Sequence, residues 1–298
     1  MKLVTFLRDN YQSIGVLVSG TTTLIDVQQL KDQFPSSMID FVSLGDAGLD
    51  HLKEAVTDAT NEAVLNLADV GLLAPIPVPR KNIMCVGRNY HEHAKEFHDS
   101  GFDATAGKTA VPDDPIIFTK APTSVIGPNA SIPSHLDPTN SVDYEGELGV
   151  VIGNGGQGIL KQDAFQHVYG YTVINDVTAR NLQHKHKQWF IGKSLDGFCP
   201  MGPTLLTAGE VDDVGSLNLI TAVNGEIRQD ASVSDLIFDI PTLIETISAG
   251  ITLEPGDIIA TGTPVGVGIG FEPPIFLKPG DVVRVTIEPI GSLENTVV

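Results

Sequence analysis

Cysteine is scarce in this chain: Cys85 and Cys199 are the only two in 298 residues. They have neither a secretory context nor a ligand-like spacing, so they are expected to be reduced, buried thiols. Positive charge is also scarce. Eighteen Lys and Arg face 37 Asp and Glu, giving a formal net charge of −19. That balance argues against nucleic acid and anionic membrane as partners, because both repel such a chain. Small anionic substrates stay open, since a bound cation reverses the sign locally. No run approaches the roughly 20 apolar residues that span a bilayer. The N-terminus, Met1 to Asp9, is interrupted by charge too early for a secretory h-region, so a cytoplasmic location is expected. The glycine-rich turn Asn154–Gly158 has no Walker spacing and reads as a plain turn. No Cys or His lies at zinc spacing near the main carboxylate cluster.

The hydrophobic content is ordinary at 42%, and 30 Gly and 19 Pro are spread along the chain. Many turns and a β-heavy fold follow. Residues 1–77 read as a small α/β unit, with strands near Leu3–Leu7, Ser13–Val18 and Thr23–Val27. Helical character is expected over Asp26–Phe34 and Asp46–Leu67. Three prolines in Pro75-Ile76-Pro77-Val78-Pro79 make a stiff connector, which places a boundary between 1–77 and 78–298. Beyond it, strands are expected at Asn82–Gly87, Ile116–Lys120, Leu148–Ile152 and Tyr169–Thr178. Asn224-Gly225 marks a hairpin, and Asp239–Ala249 an amphipathic helix. Residues 98–114 read as a loop or lid, and Ile191–Pro203 as a rigid loop. The fold class is therefore mainly β with helices outside, an α+β protein.

Two carboxylates draw attention in Asp143-Tyr144-Glu145-Gly146-Glu147-Leu148. A strand has period two, so Glu145 and Glu147 face the same side. Like charges held there repel, and a divalent cation is the simplest compensation. Asp176, at the end of another apolar strand, is a candidate third ligand. Oxygen-only donors suit a hard cation such as Mg2+. A solvated strand face is the other reading, and a Ca2+-type structural site a further one. His93 and Glu96 lie at i and i+3 on the helix expected to begin near Asn89, its candidate N-cap. Glu96 then orients the imidazole and raises its basicity; a surface ion pair is the alternative. Lys193 suits a carboxylate or an enolate, or else pairs with Asp196 at the surface. His184 and His186 read as a solvated face. The glycines of Thr261–Gly268 would let backbone amides approach an anion.

Taken in order, several segments form one series. It runs Gly87-Arg88-Asn89-Tyr90 with His93 and Glu96, then Asp143–Leu148, Asn175–Arg180, Gly192-Lys193-Ser194 and Cys199-Pro200. It continues through Asn224-Gly225-Glu226 with Gln229, and then Gly256-Asp257 with Thr261-Gly262-Thr263-Pro264. This series resembles the fumarylacetoacetate hydrolase family over about residues 80 to 290. The resemblance implies a mixed β-sandwich roll, usually dimeric, often preceded by a small N-terminal domain. It implies Mg2+ or Mn2+ on Glu145, Glu147 and Asp176, a catalytic dyad of His93 and Glu96, and an active-site lysine at Lys193. It also implies substrate contacts from Thr263, Arg88 and Gln229. The expected activity is metal-dependent C–C bond hydrolysis of a 2-oxo or diketo acid, of acylpyruvate or fumarylacetoacetate type. Decarboxylation of a β-keto acid such as oxaloacetate and isomerisation or hydration of dienoates use the same enolate chemistry. A non-catalytic oxo-acid-binding protein is the alternative of another class. The segment Phe97–Pro115 is longer and more polar than in the shortest members, which bears on lid behaviour and substrate size.

Overall fold

The structure is a computed structural model and describes residues 1–102 and 109–298. Residues 103–108 of the expected lid lie outside the described residues. A large mixed sheet dominates. Its strand order, by residue range, is 64–66, 23–26, 11–17, 2–8, 199–207, 168–175, 146–152, 258–260, 83–87 and 116–120. Neighbours are antiparallel except 258–260 against 83–87. The strand Lys2–Arg8 pairs with Cys199–Thr207, so the N-terminal strands continue the sheet of the larger part of the chain. A second, four-stranded sheet has the order 226–232, 218–223, 282–287 and 291–296. The hairpin between the first two of these turns at Asn224 and Gly225, whose φ values of 53° and 82° are those the Asn-Gly signal requires.

Side-chain alternation decides what lies between the layers. Leu148, Val150 and Ile152 of the strand Gly146–Ile152 join the core shared with Leu219, Val283, Val285 and Ile287 of the small sheet. Val151 joins a second core with Leu3, Ile14, Phe41 and Leu52 on the other face. Glu145 and Glu147 share parity with Val151, so they point away from the small sheet. Between them, a Cβ on Gly146 would lie 2.2 Å from Thr221 Oγ1. The two sheets approach too closely there for any side chain.

Three local expectations are corrected. Asp26–Phe34 holds only a short 3-10 turn, Val27–Gln29, whose N-cap is Asp26. The second N-terminal helix runs Gly45–Thr57 and stops well short of Leu67, because Val64–Asn66 is drawn into the sheet edge. The residues expected to form one rigid loop divide into a short helix, Phe190–Lys193, and the start of the strand Cys199–Thr207. The helix His91–Asp99 and the helix Ile240–Ser248 form as expected. Asn89 does not cap the first of these, whose N-cap is Tyr90. Its side chain instead donates to Thr261 O at 2.8 Å and accepts from Phe238 N at 2.8 Å. Among the described residues, no helix is long and apolar enough to cross a membrane.

Both thiols are fully buried. Burial pushes Cys199 up to about 12 and Cys85 well above the ordinary thiol range. Since the thiolate is the reactive species, an aromatic disulfide reagent at pH 8 is expected to label neither cysteine in the native protein and both after denaturation. Stoichiometric labelling of the native chain within minutes would contradict this burial.

Candidate metal centre and active site

The strand Gly146–Ile152 pairs with Val168–Asn175 so that Glu147 stands opposite Ile174. The chain then passes Asp176, whose N–H donates to Glu145 O at 2.8 Å. This register brings one ligand atom from each of Glu145, Glu147 and Asp176 within 4.8 Å of one another, all on buried residues. The solvated-face alternative is thereby set aside, since Glu147 is only 1% exposed.

Three cations surround this cluster: Lys193, which the sequence singled out, and Arg180 and Lys120, which it did not. Lys193 Nζ lies 2.7 Å from both Glu145 Oε2 and Asp176 Oδ2. Arg180 Nη1 lies 2.7 Å from Glu145 Oε1, and Lys120 Nζ 2.7 Å from Asp176 Oδ1. Every oxygen of Glu145 and Asp176 thus faces a cationic nitrogen. Arg180 Nε also pairs with Asp143 Oδ2 at 2.9 Å. Lys120 is completely buried and donates to the backbone carbonyls of Val177 and Lys193 as well. Glu147 differs: among the described residues no cationic side chain pairs with it, and its Oε2 accepts from Gly262 N at 2.9 Å.

The electrostatics follow from these partners. Burial alone would raise the Glu145 carboxyl, but Lys193 and Arg180 outweigh it and hold Glu145 down at about 2. Burial, reinforced by the charges of Asp176 and Glu145, pushes Glu147 well above the usual carboxylate range. Three buried carboxylates, all-oxygen donors and one oxygen pair without a cation fit a hard divalent ion. The residues that would hold it are Glu145, Glu147 and Asp176.

The dyad geometry is direct. His93 Nδ1 is 2.9 Å from Glu96 Oε2, and Glu96 Oε1 accepts from Gly266 N at 3.0 Å. With Glu96 accepting from Nδ1–H, Nε2 remains as the basic nitrogen. The amides of the Thr261–Gly268 loop do bind anions, and those anions are the protein's own carboxylates: Glu147, Glu96 and Asp143.

One small cavity joins most of the expected residues. Arg88, His93, Glu145, Glu147, Lys193 and Thr263 line it, along with Arg180, Gln183 and Trp189. The space open to the centre of a water molecule is about 10 Å³, or roughly one water. Arg88 has a φ of 55° in a non-glycine residue, a strained backbone beside the site. Glu96 and Asp176 stand behind the lining. So does Gln229, whose amide holds Thr263 Oγ1, Pro264 O and Gly146 N, each within 3.0 Å. His91, His184 and His186 are exposed on helix surfaces.

Lys120, Asp143, Arg180, Gln183 and Trp189 received no role from the sequence. Lys120 closes an apolar strand, the same signal that singled out Asp176. Arg180 sits four residues after Asp176, and Asp143 two before Glu145. No local pattern pointed to Gln183 or Trp189.

The model of the fumarylacetoacetate (FAA) hydrolase C-terminal family matches residues 82–298. The chain is 44% identical over 309 residues to oxaloacetate tautomerase YisK of Bacillus subtilis, covering all of both proteins. Among solved structures, it resembles a fumarylacetoacetate hydrolase from psychrophilic Exiguobacterium antarcticum. That match has 42% identity and a TM-score of 0.82, covering 100% of this chain and 99% of that one. It also resembles the maleylpyruvate hydrolase of Sphingobium sp. SYK-6 in complex with manganese(II) and pyruvate. There the identity is 29% and the TM-score 0.79, with the same coverage.

Proposed function

Because the chain belongs to the fumarylacetoacetate hydrolase family, we propose that it is a divalent-metal-dependent enzyme acting on small 2-oxo acids through an enolate. Its favoured reaction is keto–enol tautomerisation of an oxaloacetate-like acid. The observation that carries this reading is one cavity lined by His93 of the dyad and by Glu145 and Glu147 of the buried carboxylate cluster. Glu145, Glu147 and Asp176 would hold a divalent cation, which would supply Lewis-acid stabilisation of negative charge on the substrate's oxygens. His93 Nε2 takes the proton from the carbon next to the 2-oxo group, or from the enol hydroxyl, and returns it to the other position. Glu96 fixes the imidazole tautomer and stabilises the imidazolium that forms in between. Arg88 and Lys193 bring positive charge to the substrate's carboxylates, and Thr263, held by Gln229, offers its hydroxyl. The full-length relative at 44% identity carries the name of this reaction.

A second reading is hydrolytic cleavage of a C–C bond. The dyad that moves a proton on carbon also takes one from water, and the relative bound to manganese and pyruvate is named a hydrolase.

The test uses the full chain loaded with Mg2+ or Mn2+. Oxaloacetate is supplied as its enol, and the decay of enol absorbance is followed with product analysis. Faster ketonisation without loss of carbon supports the proposal. Pyruvate and carbon dioxide would make the protein a decarboxylase, and cleavage of acylpyruvates a hydrolase. Trp189, the chain's one tryptophan, lines the cavity, so quenching of its fluorescence reads ligand entry separately from turnover. Quenching without turnover of any of these acids would leave a binding protein.

A further inference from the structure

Three aromatic rings, Phe97, Phe118 and Trp189, line the same cavity as the charged groups. Each comes from an element that also carries a charged group of the site. Phe97 lies on the helix His91–Asp99, one turn beyond His93 and next to Glu96. Phe118 lies on the strand Ile116–Lys120, two residues before Lys120. Trp189 precedes the helix Phe190–Lys193, and its carbonyl accepts from Lys193 N at 3.1 Å. Trp189 stands between the other two, with ring centroids 5.7 Å from Phe97 and 5.1 Å from Phe118, both edge to face. Lys193 Nζ lies 5.0 Å from the centre of the Phe118 ring, and the His93 ring 6.3 Å from Phe97.

The Trp189 ring has little room to retreat. A Cβ built on Gly87 would lie 2.4 Å from the Trp189 ring. The indole is pressed against the bare backbone beside Arg88, and only glycine permits that approach. Phe97 and Trp189 are buried and packed with Val267 and Ile269. The charged groups of the site, with Val86, Gly87, Gln183 and Thr263, line the cavity as well. A substrate in this cavity meets these rings on a wall that begins at Lys193, the partner of Glu145 and Asp176.

We propose that the wall of Phe97, Trp189 and Phe118 is the size filter of the site. It restricts substrates to short 2-oxo acids whose substituent is no bulkier than a carboxyl group. The inference rests on the function proposed above and adds the residues that set substrate length. An apolar pocket discriminates by about 10- to 200-fold per methylene gained or lost, so one ring reduced to leucine is enough to read.

The experiment compares the Mn2+-loaded wild type with Trp189→Leu and Phe118→Leu. Oxaloacetate and a series of acylpyruvates of increasing length are the substrates, and circular dichroism confirms folding. In the wild type, kcat/KM is expected to fall at least about tenfold from the shortest acid to the longest. Either variant is expected to raise the long-to-short ratio by at least about tenfold. A purely structural role would depress both substrates alike and leave the ratio unmoved. An unchanged ratio in a folded variant, or a wild type indifferent to length, overturns the filter. If Trp189→Leu does not fold, Phe118→Leu carries the comparison. If the wild type turns over none of these acids, the proposed function has failed while the filter is still read by calorimetry. The ratio of Kd for pyruvate and for 2-oxoglutarate then shifts at least about tenfold in the variants, or the filter is wrong.

Discussion

His93→Ala is expected to lower turnover of the enol substrate by about 10²- to 10⁴-fold, the range for removing a positioned general acid–base. Alanine is a good helix former, and the His93 side chain has Glu96 as its one hydrogen-bond partner among the described residues. The helix His91–Asp99 should therefore persist. The imidazole is no part of the carboxylate triad, so calorimetric Mn2+ affinity should stay close to that of the wild type. Glu96→Gln should show a smaller loss, since a neutral partner still accepts from Nδ1–H but no longer stabilises the imidazolium. Wild-type rates in His93→Ala would remove the dyad from the mechanism. Loss of Mn2+ binding together with rate would mean that the helix was disturbed and the histidine had a structural role.

Glu147→Gln is expected to have effects of opposite sign on metal binding and on stability. The amide keeps nearly the same shape and still accepts from Gly262 N. One anionic ligand of the triad is lost. The fall in Mn2+ affinity should exceed the 10- to 100-fold typical of outer-shell partners, and metal-dependent activity should fall with it. Without metal, Glu147 is a buried carboxylate with no cationic partner among the described residues, raised by burial and by Asp176 and Glu145. Replacing such a group with a neutral isostere relieves a desolvation cost. The metal-free variant should therefore melt at a higher temperature than the metal-free wild type, while added Mn2+ raises the melting temperature of the wild type alone. Unchanged Mn2+ affinity would exclude Glu147 as a ligand. The same chelator that abolishes wild-type turnover should leave the residual rate of Glu147→Gln untouched.

These two substitutions fall on residues that sequence patterns had picked out, and the reason is that both patterns are local. A spacing of two on a strand places Glu145 and Glu147 on one face, and a spacing of three on a helix puts Glu96 within reach of His93. Asn224-Gly225 likewise specifies its hairpin through the φ values those two residues tolerate. Where a helix was expected over Asp26–Phe34, Asp26 ends the strand Thr23–Asp26 and caps a single 3-10 turn, Val27–Gln29. Asn89 fails as a cap: its amide serves the Thr261 and Phe238 backbones instead, across about 150 residues of chain or more.

What surrounds the charged groups was decided only by the tertiary structure. Sequence alone established that acids would stand side by side at the end of an apolar strand, that a histidine and a glutamate would share a helix face, and that the chain carried the ordered motifs of its family. It left open whether Glu145 and Glu147 faced water. The register of 146–152 against 168–175 buries them and brings Asp176 alongside. Strands and helices distant in sequence then deliver Lys120, Arg180 and Lys193 to four of the six carboxylate oxygens of the triad and leave Glu147 without a cationic partner among the described residues. The aromatic wall arises in the same way, from three elements whose rings meet only when the sheet is assembled. The physical reason is common to both. Periodicity along a chain depends on backbone geometry within a few residues, whereas dielectric, counterions and cavity size depend on which distant side chains fill the space around a group.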